Sequence, residues 1–365
     1  MAKSNSVGQQ GFIENERRDA GGRHPVASSP SARRSPGSKQ ERPVVPTIPP
    51  TRFRRIASSH KRWGLTRTLA GYKAGTPSVG GKAPKWVLTN EKDPNNFYIA
   101  KLGATNGRAE TFTELFNNQL GEALGFEMAH SGVARLDTEI YFVTRNFRAE
   151  GERLVHGSLM IEEVFGAKQE TDRIHHKSEQ AFYTIDFLEQ VIKEFCKDDA
   201  KTVFGKFLEM LVFDALIGSM DRHAQNWGVL QQTSLPERYR FAPIFDSARA
   251  LLWSLPEKKL LEYDRSETVL GRYVDASRPC IGPPRDHPKI NACNHFDVVE
   301  NLVQRYPHLM RVALARVSVV TVRKATKLLG SFPYLRYFSS VRRKLMLKVL
   351  QIRAEKMLGI AQALA

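Results

Sequence analysis

From Lys85 to Gly103 short apolar runs alternate with turn-forming residues: Trp86-Val87-Leu88, then Asp93-Pro94-Asn95-Asn96, then Phe97-Tyr98-Ile99-Ala100. Two β-rich runs around a polar, proline-containing segment predict a hairpin. From Ala109 to Phe126 the apolar positions Phe112, Leu115, Phe116, Leu120 and Leu124 recur at steps of three and four, which predicts an amphipathic helix. Val133 to Phe147 returns to strand-like content through Ile140, Tyr141, Phe142 and Val143, and Leu154 to Phe195 then reads as mostly helical. Phe204 to Met220 is apolar on nearly every side, so it predicts a helix through the middle of a larger core. Two short strand-like runs follow, Trp227 to Leu230 and Tyr239 to Ile244. Pro256 to about Pro288 is rich in proline and charge, and Phe296 to the C-terminus is helical and basic.

This pattern divides the chain into three: residues 1–59, 60–147 and 148–365. The first is rich in Ser, Pro, Gly, Gln and Arg, has no sustained apolar period, and reads as a disordered tail. The second reads as a small β-rich lobe and the third as a larger, mostly helical one, an α+β arrangement. The 365 residues, 41% hydrophobic, are enough for both cores.

Charge adds one feature. Against 38 acidic residues stand 55 basic ones, a formal net charge of +17. Met1 to Ile56 holds 11 Lys or Arg and 4 Asp or Glu, so 11 − 4 = 7 of that excess lies in the tail. Such a chain attracts polyanions, without naming one. Three cysteines, no signal-peptide pattern, and apolar stretches broken well before the ~20 residues of a transmembrane helix lead to the expectation of a cytoplasmic protein without a span.

The chemistry concentrates after the apolar helix, in Asp221-Arg-His-Ala-Gln-Asn226 and then Phe245-Asp246. Taken singly, an Asp caps a helix or turn, an Asn sits in a turn, and a second Asp is surface charge. Together they match a phosphotransfer site. Kinase catalytic loops use this Asp-to-Asn offset, with one carboxylate to take a hydroxyl proton and one amide oxygen to reach a metal, and a second Asp follows at the end of a strand. Magnesium takes a few oxygen ligands plus water and phosphate, so Asn226 and Asp246 are candidate metal ligands and Asp221 the candidate catalytic carboxylate. His223 either braces one of these carboxylates or transfers protons.

The DRHAQN segment followed by Phe245-Asp246 resembles HipA-type serine/threonine kinases, and DRHxxN also resembles phosphatidylinositol kinases, which share the broader fold. The upstream chain favours the first. Ser78 to Leu88 (SVGGKAPKWVL) resembles the HipA-type phosphate loop, and Tyr98 to Gly103 (YIAKLG) the strand bearing the ATP-contacting lysine. The resemblance, which covers about Ser78 to Leu251, implies a protein-kinase-like two-lobed fold using ATP and Mg2+ on a protein Ser or Thr hydroxyl. Ser78, Gly80 and Gly81 would approach the phosphates, and Lys101 would hold them, with Lys85 as its competitor. Glu114, or Glu110 one turn earlier, would pair with that lysine. Tyr141 to Phe147 resembles the strand that meets adenine, with Thr144 where an acidic residue is usual. The resemblance also implies that Ser78, or Thr76 beside it, is a position for silencing phosphorylation. The N-terminal subdomain through which HipA toxins meet their DNA-binding antitoxin is expected to be missing or shortened here, so the resemblance by itself does not imply an antitoxin partner or a toxin role.

Two other readings belong to different classes: a lipid kinase sharing the same core residues, and a non-catalytic basic adaptor binding nucleic acid or protein through the tail. Cys280, His287, Cys293 and His295 fit no common zinc spacing and read as loop residues.

Overall fold

The computed structural model describes residues 72–78, 85–103, 107–136, 139–166, 182–290, 292–318 and 320–363. The expected tail and the glycine pair Gly80-Gly81 lie outside the described residues.

Five antiparallel strands form the first sheet: β1 (Lys73–Ser78), β2 (Lys85–Asn90), β3 (Asp93–Lys101), β4 (Ser131–Leu136) and β5 (Glu139–Arg145), in the order β1-β2-β3-β5-β4. The hairpin expected around Asp93 to Asn96 turns earlier, at Glu91-Lys92, and Asp93-Pro94 already belong to β3. A register shift between Leu88 and Asn90 absorbs the difference.

Because strand side chains alternate between faces, parity decides what this sheet presents. Trp86, Leu88, Tyr98, Ala100, Ala134, Tyr141 and Val143 form a cluster on one face, joined by Tyr72. The rings are edge-on in the pairs Trp86–Tyr141 and Tyr72–Tyr98. The alternate positions Val133, Ile140 and Phe142 belong to the large core on the other face. Lys85 and Lys101 share the parity of that second face and stand opposite each other in the β2–β3 register.

Helix α1 (Gly107–Leu124) packs on the second face. Its Phe112, Leu115, Phe116 and Leu120 are fully buried, as the three-and-four spacing predicts. A second sheet follows, β6 (Glu152–His156), β7 (Gly228–Gln232) and β8 (Tyr239–Phe241), in the order β6-β7-β8. Strand β6 differs from the helical reading of its region. Gly228 pairs with His156, and a Cβ there would collide with the Val155 carbonyl, so glycine permits the approach of β6 to β7.

The helical region contains α2 (Gly157–Phe165), α3 (Ile185–Cys196) and α4 (Ala200–Ile217), then α5 (Glu257–Asp264), α6 (Glu267–Asp275), α7 (His295–Arg305), α8 (Pro307–Leu314), α9 (Val320–Leu329), α10 (Tyr334–Tyr337) and α11 (Ser340–Ala363). Central α4 is surrounded, with Phe207, Leu208, Met210, Val212, Phe213, Leu216 and Ile217 fully buried. Each such side chain contributes about 1.5–3 kcal/mol by leaving water. The helix stops at Gly218, whose left-handed φ of 68° lets its N–H close onto the Asp214 carbonyl. None of the described helices is long and apolar enough to cross a membrane.

Candidate active site

The segment after α4 is built as a rigid loop. Ser219 N–H donates to the Asp214 carbonyl (2.9 Å), Met220 N–H to the Arg249 carbonyl (3.1 Å), and Asn226 N–H to the His223 carbonyl (2.8 Å). Trp227, at the far end, is buried and donates through Nε1 to the Tyr183 hydroxyl at 2.6 Å. Asp221 and Asn226 thus sit between two fixed points.

Arg222, inside the loop, is the organising residue. Its guanidinium is fully buried and forms a two-point pair with Asp214 of α4, both contacts at 2.8 Å. The same group donates to the carbonyls of Asn226 (2.7 Å) and Phe245 (2.6 Å) and to the Ser247 hydroxyl (3.1 Å). Two segments distant in sequence, the loop and the residues flanking Asp246, therefore converge on one cation. A planar fork with five donors suits this task. Asn117 of α1 adds a third element by donating to the Ser247 carbonyl at 2.7 Å.

Asp246 is held with a left-handed φ of 56°, a conformation that costs a non-glycine residue roughly 1–2 kcal/mol. There its Oδ1 accepts from Lys101 Nζ at 2.5 Å, and Lys85 Nζ lies 4.0 Å from Oδ2. Lys101 also meets Glu114 Oε2 at 3.0 Å. Sheet parity presents both lysines to the same side, and distance separates them: Lys101 bridges the two carboxylates. Of the two glutamates considered, Glu114 is the one that meets Lys101.

The electrostatics follow from burial and from sharing one cation between two anions. Burial alone would lower the Lys101 pKa, but Glu114 and Asp246 raise it above the ordinary lysine value, so it stays charged. Burial would raise Asp246, yet Lys101, and Lys85 after it, hold its carboxyl down to about 2. Glu114, also buried and with a smaller share of the lysine, is pushed up to about 7.

For Asp221 the partner is a residue that sequence reasoning did not single out: Arg249 Nη1 stands 3.1 Å from Oδ1. His223 instead uses Nδ1 to accept the Gln225 amide at 3.3 Å, within its own turn. Thr144 lies in β5, opposite Ile99 and Ser131. Thr76 and Ser78 are backbone positions of β1, with Ser78 opposite Lys85.

The donor set suits a hard cation carried in by phosphate. Asn226 Nδ2 donates to the Asp221 carbonyl at 2.7 Å, which turns the amide oxygen the other way as an available acceptor. With the Asp246 carboxylate it makes two oxygen donors, what a magnesium already ligated by phosphate and water requires. Of the four residues weighed for zinc, His295, expected in a loop, is the first residue of α7. Cys280 Sγ donates to the Met220 carbonyl at 3.1 Å, and His295 is buried beside Arg353. Among the described residues no group of three or more His, Cys, Asp or Glu is placed to hold a metal.

Comparison with known proteins identifies the family and the fold. The family of the HipA-like C-terminal domain matches residues 77–314. Among solved structures, a Helicobacter pylori proinflammatory kinase, CtkA, is 18% identical, with a TM-score of 0.62 over 76% of this chain and 93% of its own. HipA of Shewanella oneidensis MR-1, solved with HipB and operator DNA, is 13% identical, with a TM-score of 0.51 over 80% of this chain and 67% of its own. No curated protein matches by sequence. The fold is protein-kinase-like, and the chain belongs to the family of the HipA-like C-terminal domain.

Proposed function

We propose that this chain is an ATP- and Mg2+-dependent serine/threonine protein kinase of HipA type. The observation that carries the reading is Lys101 bridging Glu114 and Asp246, beside an Asp221–Asn226 loop tied through Arg222 to the residue preceding Asp246. In this reading Lys101 orients the nucleotide phosphates, Glu114 holds the lysine in place, and Asn226 and Asp246 are the magnesium ligands. Ser78, at the end of β1, and Gly80 and Gly81 after it in the sequence would approach the phosphates. Magnesium, when bound, neutralises charge developing on the phosphate oxygens. Asp221 accepts the proton of a Ser or Thr hydroxyl as its oxygen bonds to the γ-phosphorus. The β–γ bridging bond breaks and ADP leaves. Catalysis of this kind is positioning and electrostatics rather than covalent chemistry.

Incubation of the purified chain with γ-labelled ATP, Mg2+, a Ser/Thr peptide library and, separately, phosphoinositide vesicles tests the reading. Label is expected in peptide and absent from lipid. Asp246→Ala should abolish it, and Asp221→Asn should lower it by orders of magnitude with the thermal unfolding temperature unchanged. Lipid labelling, or transfer that survives Asp246→Ala, would contradict the proposal.

A further inference from the structure

Arg249 lies three residues beyond Asp246 in a turn fixed from several directions. Its carbonyl accepts the Met220 amide, and Leu251 N–H donates to the Ile217 carbonyl at 3.2 Å. Leu251 and Leu252 hold left-handed φ values of 46° and 61°, which β-carbon sterics resist. External bonds hold them there: Leu252 N–H donates to the Tyr273 hydroxyl (2.8 Å), and the carbonyls of Leu252 and Leu255 accept from Arg342 of α11 at 2.9 and 2.6 Å. The backbone under Arg249 is thus constrained by α4, α6 and α11.

From this base the guanidinium lies over the Trp253 ring, 5.4 Å from its centroid, and reaches Asp221 Oδ1. Both partners remain partly exposed, at 21% and 19% of the side chain. Exposed pairs add little to stability. What the contact does is fix one carboxylate oxygen, and with it the direction of the other.

We propose that Arg249 is a positioning residue for phosphotransfer, clamping Oδ1 of Asp221 so that Oδ2 faces the acceptor hydroxyl, with Arg342 of the C-terminal helix holding the turn that carries it. The inference rests on the kinase reading and deepens it. Loss of alignment at a reacting group costs rate rather than nucleotide affinity, and a displacement of about 1 Å is enough for a roughly 10²-fold loss.

The test compares full-length wild-type chain, Arg249→Met and Arg249→Lys, using labelled ATP and the peptide library, with Mg·ATP affinity and thermal unfolding measured in parallel. Arg249→Met is expected to lower kcat roughly 10²-fold, leaving the KM for ATP, the Mg·ATP affinity and the unfolding temperature unchanged. Arg249→Lys keeps a charge able to reach the single carboxylate oxygen and loses the stack on Trp253, so it should recover kcat only in part, to a value between methionine and wild type. An unchanged kcat in Arg249→Met overturns the clamp. So does loss of nucleotide binding or of stability in that variant, which would make the residue structural, or a lysine variant no better than methionine. A wild-type chain that binds Mg·ATP and transfers nothing overturns the kinase reading, and the clamp with it.

Discussion

Lys101 carries one positive charge between two buried carboxylates, and the division is unequal. Asp246 has the shorter contact and is held down, while burial leaves Glu114 raised to about 7. A carboxyl whose pKa is higher folded than unfolded binds more protons in the folded state, so its contribution to stability is complete below about 4.5 and is lost as pH rises through about 7. Asp246 has the opposite sign, favouring the fold above its unfolded value and losing that contribution as pH falls toward about 2. Removing the ionisable group at position 114 therefore has a pH-dependent consequence. Glu114→Gln is expected to unfold at an equal or higher temperature than wild type at pH 8, with that advantage vanishing at pH 5, while phosphotransfer falls because Lys101 loses one of its two holders. Thermal scans across this range decide the matter, and a uniform destabilisation at every pH would show the ion pair to be net favourable.

At the scale of elements, Arg222 joins α4, the loop after it and the segment around Asp246 through one buried guanidinium. Removing one member of a buried pair strands the other's charge, at a cost of roughly 3–5 kcal/mol. Arg222→Met should therefore lose about that much stability in denaturant unfolding. Asp214→Asn added to it should restore a measurable part, since the neutral amide no longer leaves a bare carboxylate in the core. Helix α1 was legible because its buried apolar positions are periodic, and α4 because its apolar positions run almost unbroken. The pair α5 and α6 was not, because within Glu257–Asp264 only Leu260 is buried, and within Glu267–Asp275 only Leu270 and Val274. Helices of eight and nine residues with one or two buried positions among many charges are too short to establish a period. Strand β6 is legible only through its partner: Val155 is its one buried residue, and pairing with β7 rather than alternation makes it a strand. Asp221, Asn226 and Asp246 stand out as residue types at a spacing. The bond that joins the loop to the neighbourhood of Asp246, from Arg222 to the Phe245 carbonyl, spans 23 positions and ends on a backbone atom, which no side-chain pattern reports. Arg249 was illegible for a related reason, since its reach to Asp221 depends on two leucines in left-handed conformations that their sequence does not announce.

Across the whole molecule, the C-terminal helices bind parts of the fold that are far apart in sequence. Phe112 of α1 stacks on Tyr337 with centroids 4.3 Å apart, Phe116 meets Tyr334 edge-on, and the Tyr334 hydroxyl donates to Gln119 at 2.8 Å. Arg316 and Lys324 donate to the Gly125 and Ala123 carbonyls at the end of α1. The helix that carries Glu114 is therefore held from Phe112 to its C-terminal end by residues beyond position 314, where the family match stops. Helix α11 meanwhile buries Leu345, Met346, Val349, Leu350 and Met357 against the large core, and Arg353 donates to the Ala215 carbonyl (2.6 Å) in the last turn of α4. Truncation of one such apolar side chain costs about 2–5 kcal/mol, and the whole stability of a domain is about 5–15 kcal/mol. Losing five of them together costs about 10–25 kcal/mol, as much as or more than that whole stability. A chain ended after Leu314, although it keeps Lys101, Glu114, Asp221, Asn226 and Asp246, is expected to show no cooperative thermal transition and no Mg·ATP binding. A cooperative transition in that shortened chain would mean that the core closes without α9 to α11, and that the alignment of Glu114 is set by the sheet and α4 alone.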